Sequence, residues 1–386
     1  MQNILITAIG SISALGNNAA EIWENYQGNT TLISDCCLND GDVKVGKLSA
    51  DSESLVKELR KEKIAFRKLD KSVIMSMIAS RKAVKNAGWK RIENTAINIG
   101  SSRGATALFE KYHKHYLQSN KRLSPLSSPT TTLGNISSWV AMDLGTKGAT
   151  LSHSITCSTA LHSILNACAW IKSDMAEQFL AGGSEAPLTD FTIAQMQALG
   201  IYSTNTSDWP CNPLQKNKEQ NSMILGEGAV VFALEKDKGQ KAMAKIIGIG
   251  FATEMIEHNA SLSAEAECLH QSMKMAMQDA NLTIIDTLVM HAPGTLQGDK
   301  AELKAITKIF DKNMPHLIST KHLSGHTLGA SGALSLELAI MMMQHGKNIS
   351  FPYESIAHQN NNTPKTILIN AVGFGGNAVS IILQKS

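Results

Sequence analysis

Two spacings of apolar residues alternate along this chain. Short runs of consecutive or alternating apolar positions read as strands, and longer stretches with apolar positions three and four apart read as helices. "NILITAIG" near the start is a buried-strand pattern ending in glycine. "LDKSVIMSMIASRKAVKNAGW" sets Val73, Met77, Ala83 and Val84 at helical spacing and stops at Gly88, a helix terminus signal. "TAINIGSS" and "EQFLAGGSEA" read as buried strands running into glycine-rich turns, and "GAVVFALEK" is a further strand before the polar break "DKGQK". Strand "DTLVMHA", helix "GDKAELKAITKIF", strand "PHLIST" and the glycine-rich "SGHTLGASGALSLELAIMMMQHG" follow. Two strand patterns around the turn in "TILINAVGFGGNAVSIILQ" close the series. The alternation predicts an α/β fold.

After the break at 237–241, "MAKIIGIGFATE" resembles the opening "NILITAIGSIS". A duplicated α/β unit explains the likeness, and so do two unrelated buried strands. No linker, low-complexity tract or long charge block interrupts the chain, which favours one compact unit.

Composition narrows the function class. Of 386 residues, 43% are hydrophobic and 18% charged, the balance of a globular protein with a sizeable core. A net charge of +3 gives no sign of nucleic-acid binding. The apolar N-terminus has no Lys or Arg before it and carries Thr and Ser, so it reads as a strand, not a signal peptide. The most apolar segment, "ALSLELAIMMM", contains Glu337, and no membrane span is expected. The protein is expected in the cytoplasm. The six cysteines form no CxxC, so neither a disulfide framework nor a metal site is expected. Aromatic residues are 5% of the chain, and the 17 methionines must fill part of the core.

Three stretches carry chemistry. In "SHSITCSTALHSILNACAW", Leu161, Ile164, Leu165 and Cys168 form one apolar helix face, which puts Cys157 at or near the first helical turn. Unpaired N–H groups there favour a thiolate. An inert buried cysteine fits the same pattern. In "STKHLSGHTLGASGA", Lys321 and His326 lie five residues apart before Gly329 and Gly332, where His326 is a candidate proton or hydrogen-bond donor and Lys321 a fixed charge. A solvated loop is the plainer alternative. In "VGFGGNA", glycines flank Phe374 and permit backbone that aims an N–H at a ligand. Dinucleotide-binding, GxSxG and P-loop patterns are absent from the sequence.

In this order the three stretches are similar to the elongating β-ketoacyl-acyl-carrier-protein synthases of the thiolase-like superfamily. The resemblance covers nearly the whole chain. It runs through "ILITAIGSISALGNN", "AFRKLDK", "AVKNAGW", "INIGSSRG", "SITCSTALHSILNA", "EQFLAGGSEA", "ILGEGAVVFALE", "GTLQGDKAEL", "STKHLSGHTLGASGA" and "NAVGFGG". It implies a thiolase-like fold of duplicated halves, 1–241 and 242–386, in a five-layer αβαβα arrangement. It also implies that acyl groups arrive on the phosphopantetheine of an acyl carrier protein, with no cofactor of the enzyme's own.

By the same resemblance, Cys157 is the acylated nucleophile, His326 the second catalytic histidine and Lys321 its support. The N–H groups of Cys157 and Phe374 form the oxyanion hole, and Phe374 is the aromatic gate. Arg67 and Lys68 fit a carrier-protein contact, or an ordinary solvated basic face. "SSPTTTLGNISSWVAMDLG" resembles the family's dimer interface.

Two departures stand out. The family's A-H-G-T aligns with "APGT", putting Pro293 where the first histidine belongs and leaving the following loop about two residues short. His291, two residues upstream on the same side of an extended strand, would sit about 6–7 Å away from that place. The family's P-F-D-x-x-R-D-G-F has no match in "CNPLQKNKEQNSM", which reads as a loss of charged supports. On this reading the chain is closest in kind to a chain-length-factor subunit, of an aryl-polyene-like type II polyketide system. Such a subunit shapes the acyl tunnel beside an intact ketosynthase partner. The alternative is an active ketosynthase, paired with a second copy of itself, condensing through an acyl-Cys157 thioester.

Overall fold

The structure is a computed structural model and describes all residues except 1–3, 39–40, 120–121, 134 and 256–261. Twelve strands are found among the described residues. They are β1 (Ile4–Ser13), β2 (Ser34–Leu38), β3 (Gly41–Val45), β4 (Ala96–Gly100), β5 (Thr150–Leu151), β6 (Gln178–Glu185), β7 (Gly228–Lys236), β8 (Ala244–Thr253), β9 (Thr287–Val289), β10 (His316–Ile318), β11 (Thr366–Gly373) and β12 (Asn377–Lys385). β2 and β3 form a small hairpin, and the other ten make one sheet in the order β10-β9-β11-β12-β8-β1-β7-β6-β4-β5.

That order contains the repeat. Numbered from its own first strand, each half of the sheet runs 3-2-4-5-1: β5-β4-β6-β7-β1 in one half and β10-β9-β11-β12-β8 in the other. The halves meet where β1 pairs antiparallel with β8 over Ile4–Ile246, Leu5–Lys245 and Ile6–Ala244. "NILITAIG" and "MAKIIGIG" are thus the two equivalent first strands.

Two helices lie between the half-sheets. Helix Thr159–Lys172 packs on β4 and β6 and also touches β12, while helix Ser331–His345 packs on β11 and β12 and also touches β6 and β7. Facing sheets on both sides, Ser331–Met343 is buried all round, which is why its sequence shows little amphipathic pattern. Helices Lys71–Ala87 and Asn135–Leu144 cover one outer face, and Glu267–Ala280 with Leu296–Phe310 cover the other. The layers run αβαβα, as the resemblance implies. Gly88 ends helix Lys71–Ala87 in left-handed backbone, φ 65°, donating to Lys85 and Val84 carbonyls.

Both central helices start at the same seam. Each is preceded by one non-glycine residue in left-handed backbone, Thr156 (φ 45°) and Leu328 (φ 42°). The chemistry-bearing loops of both halves therefore converge there.

Candidate active site

Cys157 lies just before Ser158, the residue that opens helix Thr159–Lys172, and is 7% exposed. The backbone around it is crowded. A Cβ on Gly373 would stand 1.8 Å from Thr156 Oγ1 and 2.9 Å from the Cys157 nitrogen, so only glycine lets β11 approach the loop. Thr156 Oγ1 donates to the Phe374 carbonyl at 3.2 Å. The backbone at Phe374 is thus held beside that of Cys157, and Gly375 (φ 93°) and Gly376 (φ 70°) make the turn that follows.

A cavity of about 280 Å³ opens onto the thiol. Its wall includes Cys157, His291, Pro293, Glu302, His326 and Phe374, with Met196, Met223, Leu328 and Val372 as apolar surface. His291 and His326 face each other edge to face with ring centroids 5.2 Å apart.

This geometry differs from the expectation of a histidine missing at Pro293. Pro293 does line the cavity, but the imidazole beside His326 belongs to His291. The physical reason is register. The loop before Gly298-Asp299-x-x-Glu302 is about two residues short when counted from Pro293 and not when counted from His291. With His291 in that place the shortfall vanishes, and no side chain needs to swing across 6–7 Å.

The loop is fixed from both sides. Glu302 accepts from the His291 and Ala292 backbone N–H groups at 2.9 and 2.7 Å, and from Asn370 Nδ2 at 3.0 Å. Asp299 accepts from Gly294 N–H at 3.0 Å and Lys218 Nζ at 3.3 Å, and Lys218 also donates to the Gly294 carbonyl at 2.6 Å. Thr295 caps helix Leu296–Phe310 through Gly298 N–H. Lys218 and Asp299 are both buried, so the stretch read as lacking charged support carries an ion pair on the histidine loop. His326 is set by its own backbone, whose N–H donates to Ile224 and whose carbonyl accepts from Gly226.

Electrostatics keep the resting site uncharged at its reactive atoms. Burial pushes the Cys157 thiol up to about 12, the nearby Glu185 charge adds to this, and Lys321 and Arg103 oppose it. The helix-stabilised thiolate expected from sequence is therefore not the resting form, because desolvation outweighs the helix end. His326 is lowered to about 3 by burial and by Lys321, and His291 falls well below its usual value from burial, Lys321 and His326. Lys321 is fully buried and drawn down to about 8 by desolvation, against the opposing charges of Glu302, Cys211 and Cys157. Both imidazoles are neutral at pH 7, each offering one N–H. Their Nδ1 atoms are sealed from solvent without a hydrogen-bond partner among the described residues.

Sequence reasoning missed Glu302 and Glu185. Glu302 stands in the quoted GDxxE stretch, and a carboxylate one helical turn after the capped loop was the available signal. Glu185 ends β6 fully buried and accepts from Ser101 Oγ, the Ser102 N–H and hydroxyl, and the Arg103 and Gly329 N–H groups. It ties the loop after β4 to the second half. Arg67 and Lys68 lie exposed on the 3-10 turn Ile64–Lys68, outside the cavity wall. All six cysteines are free. Among the described residues no three His, Cys, Asp or Glu side chains are placed to hold a metal ion, and no helix is long and apolar enough to cross a membrane.

Comparison with known proteins agrees with the fold and the ordered motifs. Residues 1–239 match the Beta-ketoacyl synthase, N-terminal domain family, and residues 243–350 match the Beta-ketoacyl synthase, C-terminal domain family. The chain belongs to the beta-ketoacyl synthase family. Among curated relatives it is similar to 3-oxoacyl-[acyl-carrier-protein] synthase 2 of Staphylococcus aureus (strain COL), 28% identical over 410 residues spanning 100% of this chain and 98% of the relative. Among solved structures it shares the fold of the ishigamide ketosynthase/chain length factor, with TM-score 0.89, 19% identity and 100% and 99% coverage of this chain and that one. A ketosynthase in complex with its chain length factor from Xenorhabdus doucetiae matches with TM-score 0.82, 20% identity and 100% and 98% coverage.

Proposed function

We propose that this ketosynthase is itself a condensing enzyme, using Cys157, His291 and His326 on acyl groups delivered by an acyl carrier protein. One observation carries the reading: the His291 and His326 rings stand 5.2 Å apart, centroid to centroid, in the wall of the cavity that opens on Cys157. It replaces the degenerate Cys-Pro-His site as the basis for assigning a role.

In the first half-reaction the Cys157 sulfur attacks the carbonyl of the carrier-bound thioester. The oxyanion is met by the Cys157 and Phe374 N–H groups. The carbon–sulfur bond to the pantetheine breaks, and the proton from the Cys157 thiol ends on the departing sulfur. With the thiol at about 12 and His326 at about 3, a resting thiolate–imidazolium pair is not the starting state, so proton loss accompanies attack. In the second half-reaction a malonyl thioester loses carbon dioxide, and its enolate oxygen is held by N–H groups of the two neutral histidines. The enolate carbon attacks the acyl carbonyl, the bond to Cys157 breaks, and the released thiolate takes a proton from water. Burial, with the positive charge of Lys321 adding to it, keeps both imidazoles neutral, the form that can donate without first losing a proton.

The test uses the purified chain alone with acyl and malonyl carrier-protein thioesters. We expect condensation without a second subunit, its loss in Cys157→Ala, and a fall of about 10²–10⁴-fold in malonyl decarboxylation for His291→Ala. A chain that condenses only beside a separate ketosynthase, through that partner's cysteine, would restore the chain-length-factor reading.

A further inference from the structure

The loop that follows β4 carries a cation without a matching anion beside the nucleophile. Ser101, Ser102 and Arg103 wrap around Glu185, and the Glu185 carboxylate already accepts five hydrogen bonds, one of them from the Arg103 backbone N–H. The Arg103 guanidinium is turned elsewhere. Its Nη2 donates to Gln195 Oε1, a neutral amide. Its Nε is sealed from solvent without a hydrogen-bond partner among the described residues, and no carboxylate of the described residues forms an ion pair with it.

Gln195 sits on helix Asp190–Ala198, whose Ile193 and Met196 belong to the apolar cluster around Cys157, and Met196 lines the cavity. The charge of Arg103 reaches the Cys157 sulfur, where it opposes the effect of burial. A half-buried guanidinium with one neutral partner, outside the cavity wall but tied to the helix whose Met196 lines it, is unusual because a desolvated donor left unpaired is costly. An oxygen acceptor on the bound acyl chain would remove that cost, and a plain alkyl chain would not.

On the condensing reading above, we propose that Arg103 is a specificity-determining residue that selects acyl chains carrying an oxygen acceptor, such as a keto or carboxylate group, over plain alkyl chains. Gln195 is its positioning residue, tying the guanidinium to the helix whose Met196 lines the cavity.

The experiment measures loading of Cys157 by intact-protein mass, using octanoyl, 3-oxooctanoyl and octanedioyl carrier-protein thioesters. The wild-type chain is expected to load the better of the two oxygenated groups about tenfold faster than octanoyl, a modest ratio because Arg103 is half-exposed. Arg103→Leu should narrow the ratio to about twofold, and Arg103→Lys should retain it for octanedioyl. Gln195→Leu, which leaves the cation in place, should reduce the ratio without abolishing it. Equal wild-type loading of all three groups would overturn this inference while leaving the condensing reading intact. So would a uniform slowing of all three in Arg103→Leu, the mark of a merely structural arginine or one matched by a carboxylate of a second subunit. Absence of loading by any group would overturn the condensing reading, and this one with it.

Discussion

His291 shows how much one residue's register decides. Its neutral ring and that of His326 have no protonation step at the usual imidazole value of about 6.5, because burial and Lys321 hold both well below it. The rate of malonyl decarboxylation is therefore expected to stay flat through pH 6.5 to 7.5. Above that, Lys321, drawn to about 8, loses its charge as pH rises and leaves Glu302 without its cation. An alkaline fall beginning near pH 8 should result, and Lys321→Arg should move it upward. A pH–rate profile with an acid limb near 6.5 in the wild-type chain would contradict the neutral pair. Pro293→Ala should change the rate less than about threefold, since the proline only lines the wall and takes no part in proton transfer. The residues themselves were legible: Cys157, Lys321, His326 and Phe374 stand in stretches whose glycines and helical spacing marked them. On the proposal that His291 is the first histidine, the four-residue match at Pro293 misleads, and the loop length to Gly298 is the sequence signal that favours His291.

At the scale of elements, helix Ser331–His345 is informative. A helix buried on both faces shows no polar stripe, and Glu337 is its one acidic residue, itself fully buried. Neither of its oxygens makes a hydrogen bond of normal geometry among the described residues. Burial raises its carboxyl to about 7, with the Ser11 and Tyr26 hydroxyls and the Lys82 charge pulling it partly back. The unfolded chain binds fewer protons than the folded one between the ordinary carboxyl value and 7. Stability therefore falls as pH rises through that window, and the penalty is complete above it. Glu337→Gln is expected to flatten the dependence and to stabilise the protein at pH 8 by on the order of 3 kcal/mol, read from denaturant midpoints. The helix itself could be read from its apolar run and Gly346. Its two-sided burial could not, because that depends on which sheets face it. In the same way β9 and β10, three residues each, are shorter than their sequence patterns, since pairing in the sheet and not apolarity sets where a strand ends.

At the scale of the whole molecule, the fold class and the layer order followed from the alternation of patterns and the resemblance. The repeat was only weakly visible, because two apolar strands alone carry no topology and the shared 3-2-4-5-1 order appears only once pairing is known. Phe109, Leu117, Leu123, Leu126 and Met142 are exposed in the single chain, along the segments that lead into and through the stretch resembling a dimer interface. Gly134 of that stretch lies outside the described residues. A second subunit is expected to cover these side chains. Phe109→Asp combined with Leu117→Asp should shift the purified protein to monomer in light scattering; an unchanged dimer would place the interface elsewhere.

The seam between the halves has a consequence for how this protein can fail. The two copies share one architecture but, on the condensing proposal, not one job: the first would supply the nucleophile and Glu185, the second the histidines, Lys321 and Phe374. On that proposal neither copy holds a complete set, and the reaction would depend on their docking. Coexpressed fragments cut within residues 237–243 should recover condensation only when they reassociate, and either fragment alone should be inert even if soluble. Loosening across β1 and β8, where three residue pairs join the half-sheets, would also disturb the two central helices, since each packs on strands of both halves.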